Sequence, residues 1–298
     1  MKALVTGATG FVGTHLMAHL RESGDDVVGF AGDLDVTEPN AVLDAVHRAA
    51  PDVVYHLAGI SHIGDSWDAP AHVFRVNAEG TLNVLRAASA SGAGRVVVVG
   101  SADEYGIVGP EDLPLREEAP LRPATPYAAS KVAAEYLALQ AFLGDGLGAI
   151  RVRAFNHTGP GQADRFVVPA LARRIVDADR GGAHTLLLGA LDPVRDFTDV
   201  RDVVRAYRLL AERGEAGGVY NVCSGVGVSV ADIVERFLAV AGVDLAVEID
   251  PDLVRPIEIP RLVGDNTRLR EATGWEPVIG LDQTLADVLD ALKRQPSE

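Results

Sequence analysis

Apolar and polar residues fall into alternating blocks along the first half of the chain, and the blocks read as strands and helices in turn. KALVT (2–6) is an apolar run of strand length, and Phe11 to Glu22 carries the helix that follows it. VVGF (27–30) predicts a short second strand. Thr37 is placed to cap a helix running to about Ala49, with Pro39 tolerated in its first turn. VVYHLA (53–58) predicts a strand, Pro70 to Ala90 a long helix, and RVVVVG (95–100) another apolar strand. A proline-rich loop from Gly106 to Pro126 leads into a further helix, after which AIRVRAF (149–155) extends again. Apolar runs separated by helices predict an α/β fold with a doubly wound parallel sheet covered on both faces.

The second half is less regular. It predicts helices at 166–180, 199–213, 229–241 and 281–293, and short strands at 185–188, 219–222 and 246–249. No repeat, low-complexity tract or flexible linker interrupts it. With the glycine-rich TGATGFVG (6–13) between the first strand and its helix, the expected division is a dinucleotide-binding Rossmann domain over 1–155 and a smaller α/β substrate lobe over 156–298, some of whose segments return to the sheet.

Composition narrows the class. Of 298 residues 48% are hydrophobic, enough to bury a substantial interior. No apolar run reaches the roughly 18 uncharged residues that a membrane span needs. The first strand begins at Lys2, which leaves no room for a secretory leader. Cys223 is the only cysteine, so no intramolecular disulfide forms, and a cytoplasmic location is expected. The net charge of −15 argues against nucleic acid and anionic membranes as partners. A phosphorylated substrate stays compatible, because screening limits surface charge to a reach of roughly 8 Å at physiological salt.

Two motifs carry chemistry. TGATGFVG places Gly7, Gly10 and Gly13 between the first strand and its helix. Glycine lets the backbone turn tightly against a pyrophosphate, and the helix N-terminus supplies amide donors. TPYAASK (125–131) sets Tyr127 and Lys131 four residues apart, on one helical face. An ammonium beside a phenol lowers its pKa from about 10 and suits it to proton transfer at a sugar hydroxyl or carbonyl. Asp33, past the second strand, is placed to meet adenine or its ribose, and no arginine stands nearby to hold a 2′-phosphate, which favours NAD slightly over NADP.

Taken together, TGATGFVG, Asp33-Leu34, HLAG (56–59), Asn77 in VNAEGT, GSADEYG (100–106) and the YxxxK segment resemble the nucleotide-sugar branch of the extended short-chain dehydrogenase/reductase family. The resemblance implies an NAD(H)- or NADP(H)-dependent enzyme with Ser101, Tyr127 and Lys131 as its catalytic triad. It implies cofactor contacts at Gly7, Gly10, Phe11, Val12, Gly13, Asp33, Leu34, Leu57, Ala58, Gly59 and Asn77, with Tyr127 and Lys131 also on the cofactor. FNHTGPGQ (155–162), VRDFTDVRD (194–202), VYNVCSG (219–225) and RPIEIPRLVGD (255–265) are similar to the GDP-6-deoxy-4-keto-mannose reductases and GDP-mannose 4,6-dehydratases. By that likeness Asn156, Arg195 and Arg255 hold a diphosphate and Glu258 the GDP moiety. For Arg195 taken alone, a salt bridge to Asp196 or Asp199 is an equal reading.

The segment after Ser101 separates the reactions this scaffold supports. Dehydratases of the group carry a glutamate base where this chain has Asp103, one methylene shorter, and Ala102 cannot transfer a proton. A misplacement of about 1 Å costs on the order of 100-fold in rate. The cysteine and histidine that fucose synthases use for epimerisation match Asp103 and Gly161 here, which closes that route. Reduction at C4 needs only the triad and the cofactor. The expectation is therefore GDP-4-keto-6-deoxy-mannose reduced to GDP-D-rhamnose, with GDP-6-deoxy-talose as the other stereochemical outcome at C4, dehydration as the alternative reaction, and a non-catalytic NAD(P) sensor as the alternative class.

The remaining chemistry-bearing residues read as structural. His15 and His19 are four apart but predict surface or core positions, and no histidine set has metal-ligand spacing. His157 either touches the sugar or fills its loop. Cys223 reads as an inert core thiol, Asn156-His157-Thr158 as an accidental sequon, and Trp67 and Trp275 as packing residues. The helices at 70–90 and 126–143 carry apolar residues on more than one face, and the family resemblance implies a homodimer built on them.

Overall fold

The computed structural model describes residues 1–30, 32, 34–182, 184–250, 253 and 259–294, with Ile63 and Asp65 described by their backbone alone. The first half runs β1 (Lys2–Thr6), α1 (Phe11–Glu22), β2 (Asp26–Phe30), α2 (Pro39–Ala49), β3 (Val53–His56), α3 (Ile63–Asp68), α4 (Pro70–Phe74), α5 (Gly80–Ala90), β4 (Arg95–Val99), α6 (Pro126–Asp145) and β5 (Ala149–Ala154). The second half runs β6 (Asn156–Thr158), α7 (Val167–Gly181), β7 (Thr185–Leu188), β8 (Val194–Asp199), α8 (Val200–Arg213), β9 (Val219–Val222), β10 (Gly227–Ser229), α9 (Val230–Ala241), β11 (Ala246–Ile249), β12 (Arg261–Leu262), α10 (Thr267–Thr273) and α11 (Leu281–Lys293).

The main sheet has the order β2-β1-β3-β4-β5-β9, and every neighbouring pair is parallel. Its last strand comes from the second half of the sequence. The two-residue period of each strand sends alternate side chains to opposite faces. Val5, Tyr55, Val97 and Val152 join Leu16 of α1 and Val203 and Tyr207 of α8 on one face. Leu4, Val54, Val96 and Val98 join Val42 of α2, Leu85 of α5 and Ala138 of α6 on the other. Near-continuous apolar strands are the sequence consequence of being covered twice. Strand order reverses between β1 and β3, so the crevice beyond their carboxyl ends is where such sheets hold a ligand.

A second layer stands over that edge. β8 lies between β10 and β12 and pairs also with β6. α7, α9 and α11 close a separate core of Ile175, Leu188, Phe197, Phe237 and Val288.

Several elements differ from expectation. Thr37 does not cap α2: Glu38 is the N-cap residue, and the Thr37 hydroxyl donates to Asp35 Oδ1 at 2.8 Å. The helix expected over 70–90 contains a π-helical turn at Arg75–Glu79, an extra residue that changes which way Asn77 faces. β6, β8, β10 and β12 were not expected, because each is either very short or, in VRDFTD, half charged.

Candidate active site

The loop from β1 to α1 is built by its glycines. Gly7 takes φ +69°, and a Cβ there would stand 2.9 Å from the Ala58 amide nitrogen. A Cβ at Gly13 would overlap the Gly7 carbonyl oxygen, so α1 can start only hard against the turn. Gly10 is the N-cap and offers no side-chain acceptor, which leaves the amides of the first turn, beginning with Phe11 and Val12, for another partner. A compact cradle of bare amides at a helix N-terminus fits a dinucleotide pyrophosphate. Leu57, Ala58 and Gly59 form its opposite wall after β3. Leu34 is half-buried against the α2 face, and Asp33 lies outside the described residues.

A buried chain of hydrogen bonds runs behind that wall. The Ala58 amide donates to Thr6 Oγ1 at 3.2 Å, and Thr6 Oγ1 lies 2.8 Å from His56 Nδ1. His56 Nε2 lies 3.0 Å from Thr81 Oγ1, whose hydroxyl donates to the Asn77 carbonyl at 2.6 Å. Thr81 spends its proton on Asn77, so Nε2 must donate to Thr81 and Nδ1 must accept from Thr6. The imidazole is thus the neutral Nε2–H tautomer. Burial, with Lys131 close by, lowers its pKa to about 3. Asn77 holds the Ile60 backbone on both sides, accepting from its amide at 2.8 Å and donating to its carbonyl at 3.1 Å. It also donates to Ser130 Oγ at 2.9 Å.

Ser101 and Tyr127 meet at the mouth of this crevice. Ser101 ends the segment after β4 and caps a 3₁₀ turn at Ala102–Tyr105. Thr125 caps α6 by accepting from the Ala128 amide at 3.1 Å, which puts Tyr127 in the helix's first turn. The Tyr127 hydroxyl faces the Ser101 side chain, which acts to lower its pKa. Burial, then the Asp103 charge, pushes its pKa up rather than down. This corrects the expectation that Lys131 acidifies the phenol: Lys131 Nζ donates to the Val99 carbonyl at 2.9 Å, beside the Gly59 wall. Burial also lowers the lysine's pKa. Asp103 is 3.3 Å from Ser101 Oγ, and burial holds its carboxyl above the usual range despite the Arg195 charge nearby.

Beneath Ser101 lies an ionic cluster that was not singled out in the sequence. Arg153 of β5 donates from Nε and Nη2 to Glu135 of α6 at 2.8 and 2.7 Å, and from Nη1 to the Tyr105 hydroxyl at 2.9 Å. Arg151 adds a bond to Glu135 at 3.3 Å. Two arginines at alternate positions in the otherwise apolar AIRVRA, and a glutamate four residues past Lys131, were the available signals.

On the substrate side, Asn156 begins β6 opposite Phe197, and Arg195 lies on β8 one residue from Asp196. The Asp196 carboxylate accepts from the Ser224 amide at 2.7 Å, the Ser224 hydroxyl at 2.6 Å and the Gly225 amide at 2.9 Å. Asp199 pairs with Arg201 at 2.7 Å. Arg195 Nη1 donates to the Val194 carbonyl at 3.0 Å and its charge reaches Asp103. Arg255 and Glu258 lie outside the described residues. His157 donates from Nδ1 to the Phe155 carbonyl at 2.9 Å and stacks on Phe11. His15 reaches the Pro160 carbonyl at 2.9 Å. Cys223 is fully buried, and Trp275 donates to the Asp202 carbonyl at 2.9 Å. Among the described residues no helix is long and apolar enough to cross a membrane.

A parallel doubly wound sheet, a glycine cradle at β1–α1 and a Ser–Tyr–Lys set at the carboxyl edge define the extended short-chain dehydrogenase/reductase class. The chain belongs to the NAD dependent epimerase/dehydratase family, whose model matches residues 3–223. It is therefore an NAD(P)-dependent enzyme of that class. It is 40% identical over 292 residues to a GDP-6-deoxy-D-mannose reductase of Pseudomonas aeruginosa, covering 97% of this chain and 96% of that one. It is 31% identical to a GDP-6-deoxy-D-talose 4-dehydrogenase of Aggregatibacter actinomycetemcomitans, covering 92% of each. The solved structure of RMD from Pseudomonas aeruginosa, complexed with NADPH, superposes with a TM-score of 0.90 at 38% identity over 98% of each chain.

Proposed function

We propose that the chain reduces the C4 ketone of a GDP-4-keto-6-deoxyhexose, taking GDP-4-keto-6-deoxy-D-mannose to GDP-D-rhamnose. The observation that carries this reading is Tyr127, a phenol whose pKa burial pushes up, facing Ser101 at the crevice mouth. Reduction needs a proton donor at O4, and Tyr127 is one at neutral pH. Dehydration needs a base at C5, and Asp103 is one methylene shorter than the glutamate that the dehydratases carry there.

Bound NADH or NADPH supplies the two electrons. The glycine cradle at Gly7, Gly10, Phe11, Val12 and Gly13 holds the pyrophosphate, while Leu57, Ala58 and Gly59 wall the cofactor. Asn77 fixes that wall, and Asp33 and Leu34 serve the adenosine end. Ser101 Oγ donates to O4 and fixes the sugar. Tyr127 delivers the proton as O4 gains charge, and Lys131 holds the nicotinamide ribose. Asn156, Arg195 and Arg255 clamp the diphosphate with paired donors, and Glu258 accepts from the nucleoside. The reductase of Pseudomonas aeruginosa supports the GDP sugar, and the talose enzyme supports chemistry at the same carbon.

The test is oxidation of NADPH or NADH on addition of GDP-4-keto-6-deoxy-mannose. Comparable turnover on UDP- or dTDP-linked ketosugars would refute the GDP assignment.

The enzyme acts as a homodimer in this reading, through the faces of α4, α5 and α6, where Phe74, Tyr136 and Leu143 are exposed. Sedimentation that finds only monomer at micromolar concentration would refute it.

A further inference from the structure

Glu104 follows Asp103 in the turn below Ser101 and is fully buried. Its Oε1 accepts from the Ser101 amide at 2.7 Å. Its Oε2 meets no hydrogen-bond donor among the described residues, and Arg153 Nε stands 3.9 Å away. The carboxyl group instead lies within hydrogen-bonding reach of the Glu135 carboxyl. Two carboxylates cannot share such a contact without a proton between them. Glu135 already accepts three guanidinium N–H groups, from Arg153 at 2.8 and 2.7 Å and from Arg151 at 3.3 Å. Those donors keep Glu135 ionised. Glu104 has one backbone amide, so the proton belongs to Glu104. Gly100 leaves the room for it, since a Cβ there would overlap Glu104 Oε1.

We propose that Glu104 is a positioning residue working as a neutral carboxylic acid: Oε2–H donates to Glu135 while Oε1 holds the Ser101 amide. The consequence lies in the charge it withholds. Tyr127 and Lys131 both stand within electrostatic range of Glu104. An anion at that place would oppose the negative charge that develops on Tyr127 as it gives up its proton. A neutral acid fixes Ser101 without that penalty. The burial of Glu104 and its contact with Glu135 act in the same direction, raising its pKa.

The test has two arms, and only the kinetic arm rests on the proposed reduction. In the first, the infrared difference spectrum of parent minus Glu104→Gln is recorded in D₂O near neutral pH without substrate. A protonated carboxyl C=O band lost in the variant is the expected result. No such band, with a carboxylate band lost instead, overturns the proposal. In the second, Glu104→Gln, which accepts from Ser101 and donates to Glu135 as the neutral acid does, is expected to rescue kcat to within about threefold of the parent, under 1 kcal/mol of barrier. Glu104→Leu is expected to lose on the order of 100-fold in kcat with little change in KM, as Ser101 shifts. A Glu104→Gln enzyme as impaired as Glu104→Leu overturns the proposal. Should Glu104→Leu fail to fold, the infrared result decides alone. Failure of the ketosugar assay in the parent would leave the infrared arm intact, so the two readings fail separately.

Discussion

Asn77 Nδ2 donates to Ser130 Oγ at 2.9 Å, and through that bond the wall after β3 is fixed to the helix that carries Tyr127 and Lys131. Ser130 in turn donates to the Tyr127 carbonyl at 2.6 Å. The π-helical turn at Arg75–Glu79 puts the Asn77 amide where it reaches both Ile60 and Ser130. The loop after β3 and the first turn of α6 are therefore tied together.

Asn77→Ala removes three side-chain bonds in a buried place. A net loss of about 1 kcal/mol per bond gives about 3 kcal/mol of stability. Urea unfolding measures it, and cofactor affinity is expected to fall with stability because the Ile60 backbone loses both of its side-chain bonds. A change below 1 kcal/mol would show that Asn77 is dispensable to the wall.

His56 makes stability depend on pH in a definite direction. Its folded pKa, about 3, lies below the unfolded value of 6.5, so the unfolded chain binds the proton first. The stabilising contribution is complete above about pH 6.5 and is lost as pH falls toward 3. The advantage of the parent over His56→Gln is expected to shrink by about 2 kcal/mol between pH 7 and pH 5. Unfolding midpoints at the two pH values check this, and a constant difference would contradict it.

Gly13→Ala tests the cradle by its sign. At an ordinary helix position the change to alanine stabilises by roughly 1 kcal/mol. At Gly13 the new Cβ meets the Gly7 carbonyl. The variant is therefore expected to be less stable than the parent and to bind NAD(P)H at least about tenfold more weakly, a loss of about 1.4 kcal/mol. Fluorescence titration of the cofactor reads the second effect.

Tyr127→Phe removes the proton donor and keeps the ring. Turnover is expected to fall by about 10²–10⁴, the usual contribution of a general acid, while cofactor binding stays within a few-fold. A non-catalytic sensor would show no turnover to lose and the same binding.

Legibility followed physical period and locality. Strands covered twice, such as VVYH and RVVVV, announce themselves, as does a helix opened by glycines or by Thr125 and Pro126. Tyr127 and Lys131 stood out because they share a helical face, and Ser101 through the family resemblance that GSADEYG carries. Glu104, Glu135 and Arg153 were not, because their meaning lies in contacts between α6, β5 and the turn after β4, distant in sequence. The direction of the Tyr127 shift was misread for a related reason. Spacing puts Lys131 on its face, but burial and the backbone carbonyl that Lys131 finds are tertiary facts. β8 escaped because VRDFTD spends its charges on partners elsewhere in the lobe, as Asp196 does on the Ser224–Gly225 turn.

The most direct measurement of the central claim uses two parallel reactions. One contains the enzyme, GDP-4-keto-6-deoxy-mannose and NADPH or NADH, followed by absorbance and then by NMR of the product. The other contains GDP-mannose and the oxidised cofactor. Cofactor oxidation with a GDP-6-deoxyhexose in the first, of rhamno configuration at C4, and no change in the second is the expected outcome. No oxidation in the first, with GDP-mannose converted to its 4-keto-6-deoxy form in the second, would make Asp103 a working base and the protein a dehydratase.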